Sequence, residues 1–91
     1  MKCCSYTIGV VVDISDSIND QFKFITIAKK PEDIYTHIRL VYTQETIILD
    51  HEYNEISIEE LNIGDTVVAF HSNAMTMSIP PQTTAFIIEV K

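Results

Sequence analysis

The sequence contains no tryptophan, two glycines, three prolines, two cysteines, and no Lys or Arg between Arg39 and Lys91. It also lacks any apolar run of about 18 residues, so it predicts no membrane-spanning helix. Thirteen acidic residues against six basic ones give a net charge of −7. Nucleic acid is not an expected partner of an acidic chain without a basic stripe, because phosphate contacts supply most of that affinity.

The only cysteines, Cys3 and Cys4, are adjacent. Neighbouring cysteines rarely bridge each other, and two cysteines do not make a disulfide framework. We therefore interpret residues 1–4 as a frayed N-terminus. No signal-peptide pattern follows Lys2, so we expect a cytoplasmic protein. A chain from which a signal peptide had been removed would look the same.

β-Branched residues are abundant instead: 15 Ile, 7 Val and 9 Thr make up 31 of the 91 positions. Such residues favour strands over helices. With 46% hydrophobic residues the chain is too apolar to be disordered by composition. Its length is that of one domain, so residues 1–91 are predicted to form a single all-β domain.

Alternating apolar residues, separated by turn residues, predict the strands. Gly9 predicts a bend or bulge in the first strand, and residues 16–20 have turn chemistry. Ser57 and Glu60 have capping-box spacing, which predicts a short helix that ends before Gly64. The predicted strands are Tyr6–Ser15, Phe22–Ala28, Tyr35–Tyr42, Thr46–Leu49, Thr66–His71 and Thr84–Val90.

This order of elements predicts a small OB-like β-barrel of five to six strands, with one short helix between the third and fourth main strands. A bent first strand, as Gly9 predicts, suits a barrel because that strand serves both of its sides. In the segment after the helix, Leu61 is expected in the core, Gly64 at a turn and Asp65 closing that turn. A β-sandwich or a swapped dimer would have the same order of elements.

The segment Met75–Gln82 is the most distinctive stretch of the sequence. With the upstream spacing of Asp50, Ile56-Ser57, Leu61 and Gly64-Asp65, it resembles uncharacterised small OB-like domains of Firmicutes that end in a T-x-S-x-P-P-Q segment and a final strand. The resemblance covers roughly residues 45–90. It implies an OB-like barrel and brings no established activity; some of those domains are secreted or lipoproteins.

A ligand-binding face is predicted from the loop between the last two strands, residues 72–82. In an OB-fold this loop flanks the face formed by strands two and three. Aromatic, imidazole and guanidinium groups on that face can stack on and hydrogen-bond a sugar, base or peptide. Alternatively, the loop side chains hold their own backbone and the strand face is merely solvated. The candidate ligand-binding residues are Tyr35, His37, Arg39, Asn73, Thr76, Ser78 and Gln82.

Catalysis has little support in the sequence. None of the G-x-S-x-G, H-E-x-x-H or P-loop patterns occurs, so we predict a protein that is not an enzyme and has no catalytic residues. Asp50-His51-Glu52 shows no EF-hand or zinc spacing and is interpreted as a solvated acidic loop. We therefore expect no metal and no cofactor. Whether His37, His51 and His71 converge in space is left open.

The leading functional hypothesis is a non-catalytic binding or protein-interaction module that associates with a protein or with itself as a homo-oligomer. It rests on an expected apolar outer face of strands one and two, with Val11, Ile25 and Ile27 as interface residues. One alternative is binding of a small ligand or oligosaccharide at the strand 2–3 face and the 72–82 loop. The other, which the charge disfavours, is single-stranded nucleic-acid binding by Lys23, Lys29, Lys30 and Arg39.

Overall fold

A computed structural model describes residues 4–17 and 22–91. Residues 1–3 of the predicted frayed start (1–4) and residues 18–20 of the predicted turn (16–20) lie outside this range. The described residues contain two 3₁₀ turns, Ile34–Thr36 and Ile58–Glu60. The strands are β1 (Ser5–Asp16), β2 (Lys23–Ala28), β3 (His37–Tyr42), β4 (Ile47–Leu49), β5 (Glu55–Ile56), β6 (Thr66–His71) and β7 (Gln82–Val90).

The strands form one sheet that closes on itself. Its order is β3-β2-β1-β6-β7-β4-β5, and an additional parallel pairing of β3 with β7 joins Arg39–Val41 to Gln82–Thr84. This closure makes a five-stranded barrel of β1, β2, β3, β7 and β6, while β4 and β5 extend the sheet beyond β7. The prediction of an all-β, OB-like barrel is confirmed.

β1 is the strand that serves two sides of the barrel. Its first half pairs with β6 and its second half with β2, and Val10 takes part in both pairings. A glycine is needed at position 9, where β1 changes from one partner strand to the other, because a Cβ there would lie 3.0 Å from the carbonyl oxygen of Ala28. The register also shifts between Val11 and Asp13. A bulge at this point bends the strand, as the glycine predicted.

The segment predicted as a helix is a single 3₁₀ turn, Ile58–Glu60. The Glu60 side chain accepts a hydrogen bond from the Ser57 N–H at 3.1 Å, so the capping chemistry is present. The turn stops early because Leu61 has an extended backbone and is drawn into the core. The third strand likewise begins two residues later than predicted, because the Asp33 carboxylate caps a 3₁₀ turn over Ile34–Thr36.

The core fills the barrel and the space beneath the 3₁₀ turn after β5. Gly64 has a φ of +100° and donates its N–H to the Val11 carbonyl at 2.8 Å. The Asp65 carboxylate accepts a bond from the Asn62 N–H at 2.9 Å, which closes the turn as expected. Within the described residues, no helix has the length and hydrophobicity to span a membrane. The buried core residues are Val11, Ile25, Ile27, Leu40, Ile48, Ile58, Leu61, Val67, Ala69, Ala85 and Ile88.

Candidate functional site

Two of the predicted ligand residues, Tyr35 and His37, lie beside the loop between β6 and β7. Tyr35 is not on β3, as predicted, but on the 3₁₀ turn before it, and its side chain is 80% exposed. Its own N–H bonds the Asp33 carboxylate at 3.0 Å. His37 begins β3, and its Nε2 donates to the Pro31 carbonyl at 2.9 Å. The turn thus presents an exposed aromatic ring next to an oriented imidazole.

These two side chains line a depression of about 350 Å³ together with Met75 and Pro81 of the loop. Lys29, from the end of β2, completes its polar side. The sequence analysis named Lys29 only for the nucleic-acid alternative and Pro81 only as part of the 72–82 loop, because the depression gathers side chains from separate segments. The only local signal was the position of Pro81 within the distinctive loop segment.

Arg39 has different partners. Its guanidinium carbon lies 5.5 Å from the centroid of the Phe24 ring, a cation–π geometry. Its Nη1 also donates to the Gln82 side-chain oxygen at 3.2 Å. Arg39 thus braces the parallel junction of β3 and β7, and the described lining of the Tyr35 depression does not include it.

The remaining predicted ligand residues hold the loop. Thr76 Oγ1 accepts from the Gln82 N–H at 2.9 Å and lies 2.7 Å from Ser78 Oγ, which donates to the Pro80 carbonyl at 2.9 Å. Asn73 bonds the Ser5 hydroxyl at the start of β1. These contacts agree with the alternative that the loop residues bond backbone groups. Thr76 and Gln82 also line a second shallow depression of about 350 Å³.

An apolar surface covers the outside of β1, β6, β7 and β4. Two rows of side chains cross the four strands in register: Tyr6, Phe70, Ile87 and Ile47, then Ile8, Val68, Glu89 and Leu49. Directly paired residues point to the same side of a sheet. Phe86, beside the bulge of β7, is 41% exposed and adds to this surface. We call the eight apolar residues of this set the apolar face; Glu89 is a charged residue within its second row, and Val68 is only 7% exposed.

The members of the apolar face with the highest exposed fractions are on β1. Tyr6 is 64% exposed and Ile8 is 50% exposed, and the Tyr6 ring lies 6.1 Å from that of Phe70. Beneath this surface, the buried positions of β6 and β7 hold the small residues Ala69 and Ala85 together with the larger Val67 and Ile88.

The predicted interface residues are not on this surface. Val11, Ile25 and Ile27 are 1%, 0% and 0% exposed and belong to the core. Their placement on an outer face was wrong because β1 and β2 carry apolar residues on both sides, so alternation alone does not distinguish inside from outside. The shift of register after Val11 also changes which residues of β1 face inward.

The acidic segment after β4 forms a tight hairpin loop. The Asp50 carboxylate accepts hydrogen bonds from the N–H groups of Glu52 at 2.8 Å and Asn54 at 2.9 Å. The bond from Asn54 is the main reason why the pKa of Asp50 is lowered from 3.8. Tyr53 has a φ of 66°, which lets the chain reverse. Within residues 4–17 and 22–91, no three His, Cys, Asp or Glu side chains are grouped to hold a metal ion.

The three histidines have different surroundings. His71 is buried between β6 and β1, where Nδ1 donates to the Ser72 carbonyl and Nε2 bonds Thr7 Oγ1 at 2.8 Å. Both ring nitrogens are thereby satisfied, which is a structural role. His37 bonds Pro31, and His51 is exposed in the acidic hairpin loop.

Comparisons with known proteins leave these surfaces without a functional counterpart: protein-family models, curated proteins and solved structures all lack a match to this chain.

Proposed function

We propose that this protein is a non-catalytic interaction module that pairs with a second copy of itself through the apolar face. The carrying observation is the pair of residue rows that crosses four strands on the outside of a barrel whose core is already complete. The largest contiguous apolar patch of a soluble domain is often functional, which supports this face as the contact surface.

The charges around the apolar face favour a two-fold pairing of identical copies. Residues Ser5–Val10, which form its β1 edge, contain no charged side chain. The opposite edge, at β4 and β5, borders the acidic loop and Glu55. In a two-fold interface the same patch meets itself. A two-fold axis that runs parallel to the strands through the middle of the face places each acidic edge over the uncharged edge of the other copy, and Glu89 of β7 over β6 of that copy, which has no charged residue other than His71 at its end.

The size of the apolar face sets the expected strength of pairing. Four strands spaced about 4.8 Å apart, and two residue rows, make a patch of roughly 300 Å². A standard interface covers about 800 Å² per partner, so the apolar rows form its centre and polar neighbours its rim. We expect a weak, reversible dimer with a dissociation constant in the range of about 1 µM to 1 mM.

Sedimentation velocity over about 1 µM to 1 mM protein tests this proposal, because that range corresponds to association free energies of about −8 to −4 kcal/mol. The weight-average mass should rise from that of a monomer toward that of a dimer. Added salt should strengthen association, since it screens the repulsion between two copies of net charge −7. A protein that stays monomeric throughout would overturn the proposal.

A matched pair of variants tests whether the apolar face is the surface through which two copies associate. Tyr6→Glu places a charge on the apolar face, whereas Ile63→Glu places the same charge at a position that is also 64% exposed but lies after β5, outside the face. Tyr6→Glu should remove dimerisation and Ile63→Glu should leave it. Circular dichroism and urea unfolding would verify that both variants fold. Equal behaviour of the two folded variants would refute the assignment.

A further inference from the structure

The depression lined by Tyr35, His37 and Lys29 shares no residue with the apolar face and calls for a separate explanation. Its volume of about 350 Å³ lies within the range of small-molecule sites. Its lining includes a basic side chain and an imidazole, and also Met75 and Pro81 of the 72–82 loop. The site therefore combines an apolar wall with polar groups suited to an anion.

Hydrogen bonds fix the backbone that carries the Tyr35 side chain, whose ring is itself largely exposed. Thr36 Oγ1, next to Tyr35, accepts a hydrogen bond from the Lys30 N–H at 3.1 Å and lies 2.9 Å from the carbonyl oxygens of Lys30 and Asp33. The Asp33 carboxylate caps the same 3₁₀ turn. These bonds tie the turn to the end of β2. An aromatic side chain on a rigid support loses little conformational freedom when a ring stacks on it.

The residues that line this depression differ in charge from the chain as a whole. The chain has a net charge of −7, yet none of the described residues that line the depression is acidic. The nearby Asp33 carboxylate is engaged by the N–H of Tyr35. A phosphate or carboxylate at this point would meet the Lys29 ammonium with no opposing carboxylate in the described lining, and hydrogen bonds between such charged groups are the strong ones.

We infer that this depression binds a small molecule made of a planar ring and one anionic group. The ring lies between the Tyr35 side chain and the wall formed by Met75 and Pro81, where stacking and sulfur–aromatic contacts are favourable. The anionic group lies at Lys29, with the His37 imidazole beside it. A nucleic-acid strand fits less well, because one lysine neutralises one phosphate, whereas strand binding needs a row of such contacts.

Three probes test the contributions of the ring and of the anionic group separately. Adenosine 5′-monophosphate carries both the ring and the charge, adenosine carries only the ring, and inorganic phosphate carries only the charge. Amide and methyl NMR titrations should show the monophosphate binding most tightly, with shifts at Tyr35, His37 and Met75. Adenosine should bind at the same place several-fold more weakly. Saturable binding of inorganic phosphate as tight as that of the monophosphate would overturn the inference, as would the absence of shifts at these residues.

Neighbouring lysines provide a matched control. Lys29 lines the depression and Lys30 does not, although both are exposed. Lys29→Gln should weaken the monophosphate about tenfold, as expected for loss of a charged hydrogen bond, and leave adenosine unchanged, whereas Lys30→Gln should change neither. Tyr35→Ala should weaken both ligands about tenfold or more. Equal effects of the two lysine variants, or tighter binding of an oligothymidylate than of the monophosphate, would refute the inference.

Discussion

Replacement of Gly9 by alanine tests the account of how β1 bends. The added Cβ would lie 3.0 Å from the carbonyl oxygen of Ala28 and 3.1 Å from the C and N atoms of the same residue. These atoms belong to the backbone of a paired strand, so they do not rotate away. Overpacking of this kind costs about 1–3 kcal/mol, and alanine recovers about 0.5–1 kcal/mol because it loses less backbone freedom on folding.

The net destabilisation expected for Gly9→Ala is therefore about 1 kcal/mol and at most about 2.5 kcal/mol, and each kcal/mol lowers Tm by about 4–8 °C for a domain of this size. Thermal and urea unfolding followed by circular dichroism measure both quantities. Gly64→Ala is the comparison, because it meets no atom within 4 Å and pays only for a φ of +100°. Gly64→Asn should be tolerated better than Gly64→Ala, since asparagine adopts positive φ more readily. If Gly9→Ala were as stable as the wild type, the close approach of Gly9 to the Ala28 backbone would be refuted as the reason for a glycine at this position.

Three further predictions concern the core, a titrating group and the loop. Ile25→Ala should cost about 2–5 kcal/mol in urea unfolding, and Ile63→Ala, at an exposed position, less than about 0.5 kcal/mol; similar costs would contradict the assignment of the core. Because the pKa of Asp50 is lower in the folded state, its ionised carboxylate stabilises the fold above pH 3.8, and this stabilisation is lost as the pH falls through the folded pKa. The urea midpoints of wild type and Asp50→Asn should therefore differ at neutral pH and converge in acid. A difference that stays constant with pH would contradict this prediction. Thr76→Val should speed hydrogen exchange of the Gln82 amide by about fivefold or more, since it removes the acceptor of that N–H, and unchanged exchange would show that the bond does not hold the loop.

The positions of most strands were predictable because they depend on local patterns, whereas the two-residue β5 was not predicted and β7 begins two residues before the predicted Thr84. Alternation located β6 at Thr66–His71 without error, and the β-branched composition excluded a helical domain. The order of the strands then favoured an OB-like barrel. The side of each strand that faces inward was less predictable. Val11, Ile25 and Ile27 lie in strands that are apolar on both sides, and burial in a barrel depends on which residues the partner strands supply.

The depression at Tyr35 and the apolar face differ in how many of their residues could be predicted from the sequence. Tyr35 and His37 are two residues apart, so their proximity was predictable once the third strand was located. Lys29 and Met75 come from distant segments, and only the closed barrel brings them to one depression. The apolar face was missed because Tyr6 and Ile8 were taken as part of an ordinary alternating strand. Their grouping with Phe70 and Ile87 into one surface becomes visible only when strand register is known.

The position of β7 determines how late in folding the barrel can close. β7 borders β6, β3 and β4, so Gln82–Thr84 must reach Arg39–Val41 before the ring of strands is complete. Contacts between such distant segments make folding slow, in the range of about milliseconds to seconds for barrels of this kind. Until that contact forms, the edges of β3 and β6 lack their final neighbour and can pair with another chain. Aggregation during folding is therefore expected to depend on how quickly the last strand docks, more than on how stable the finished barrel is.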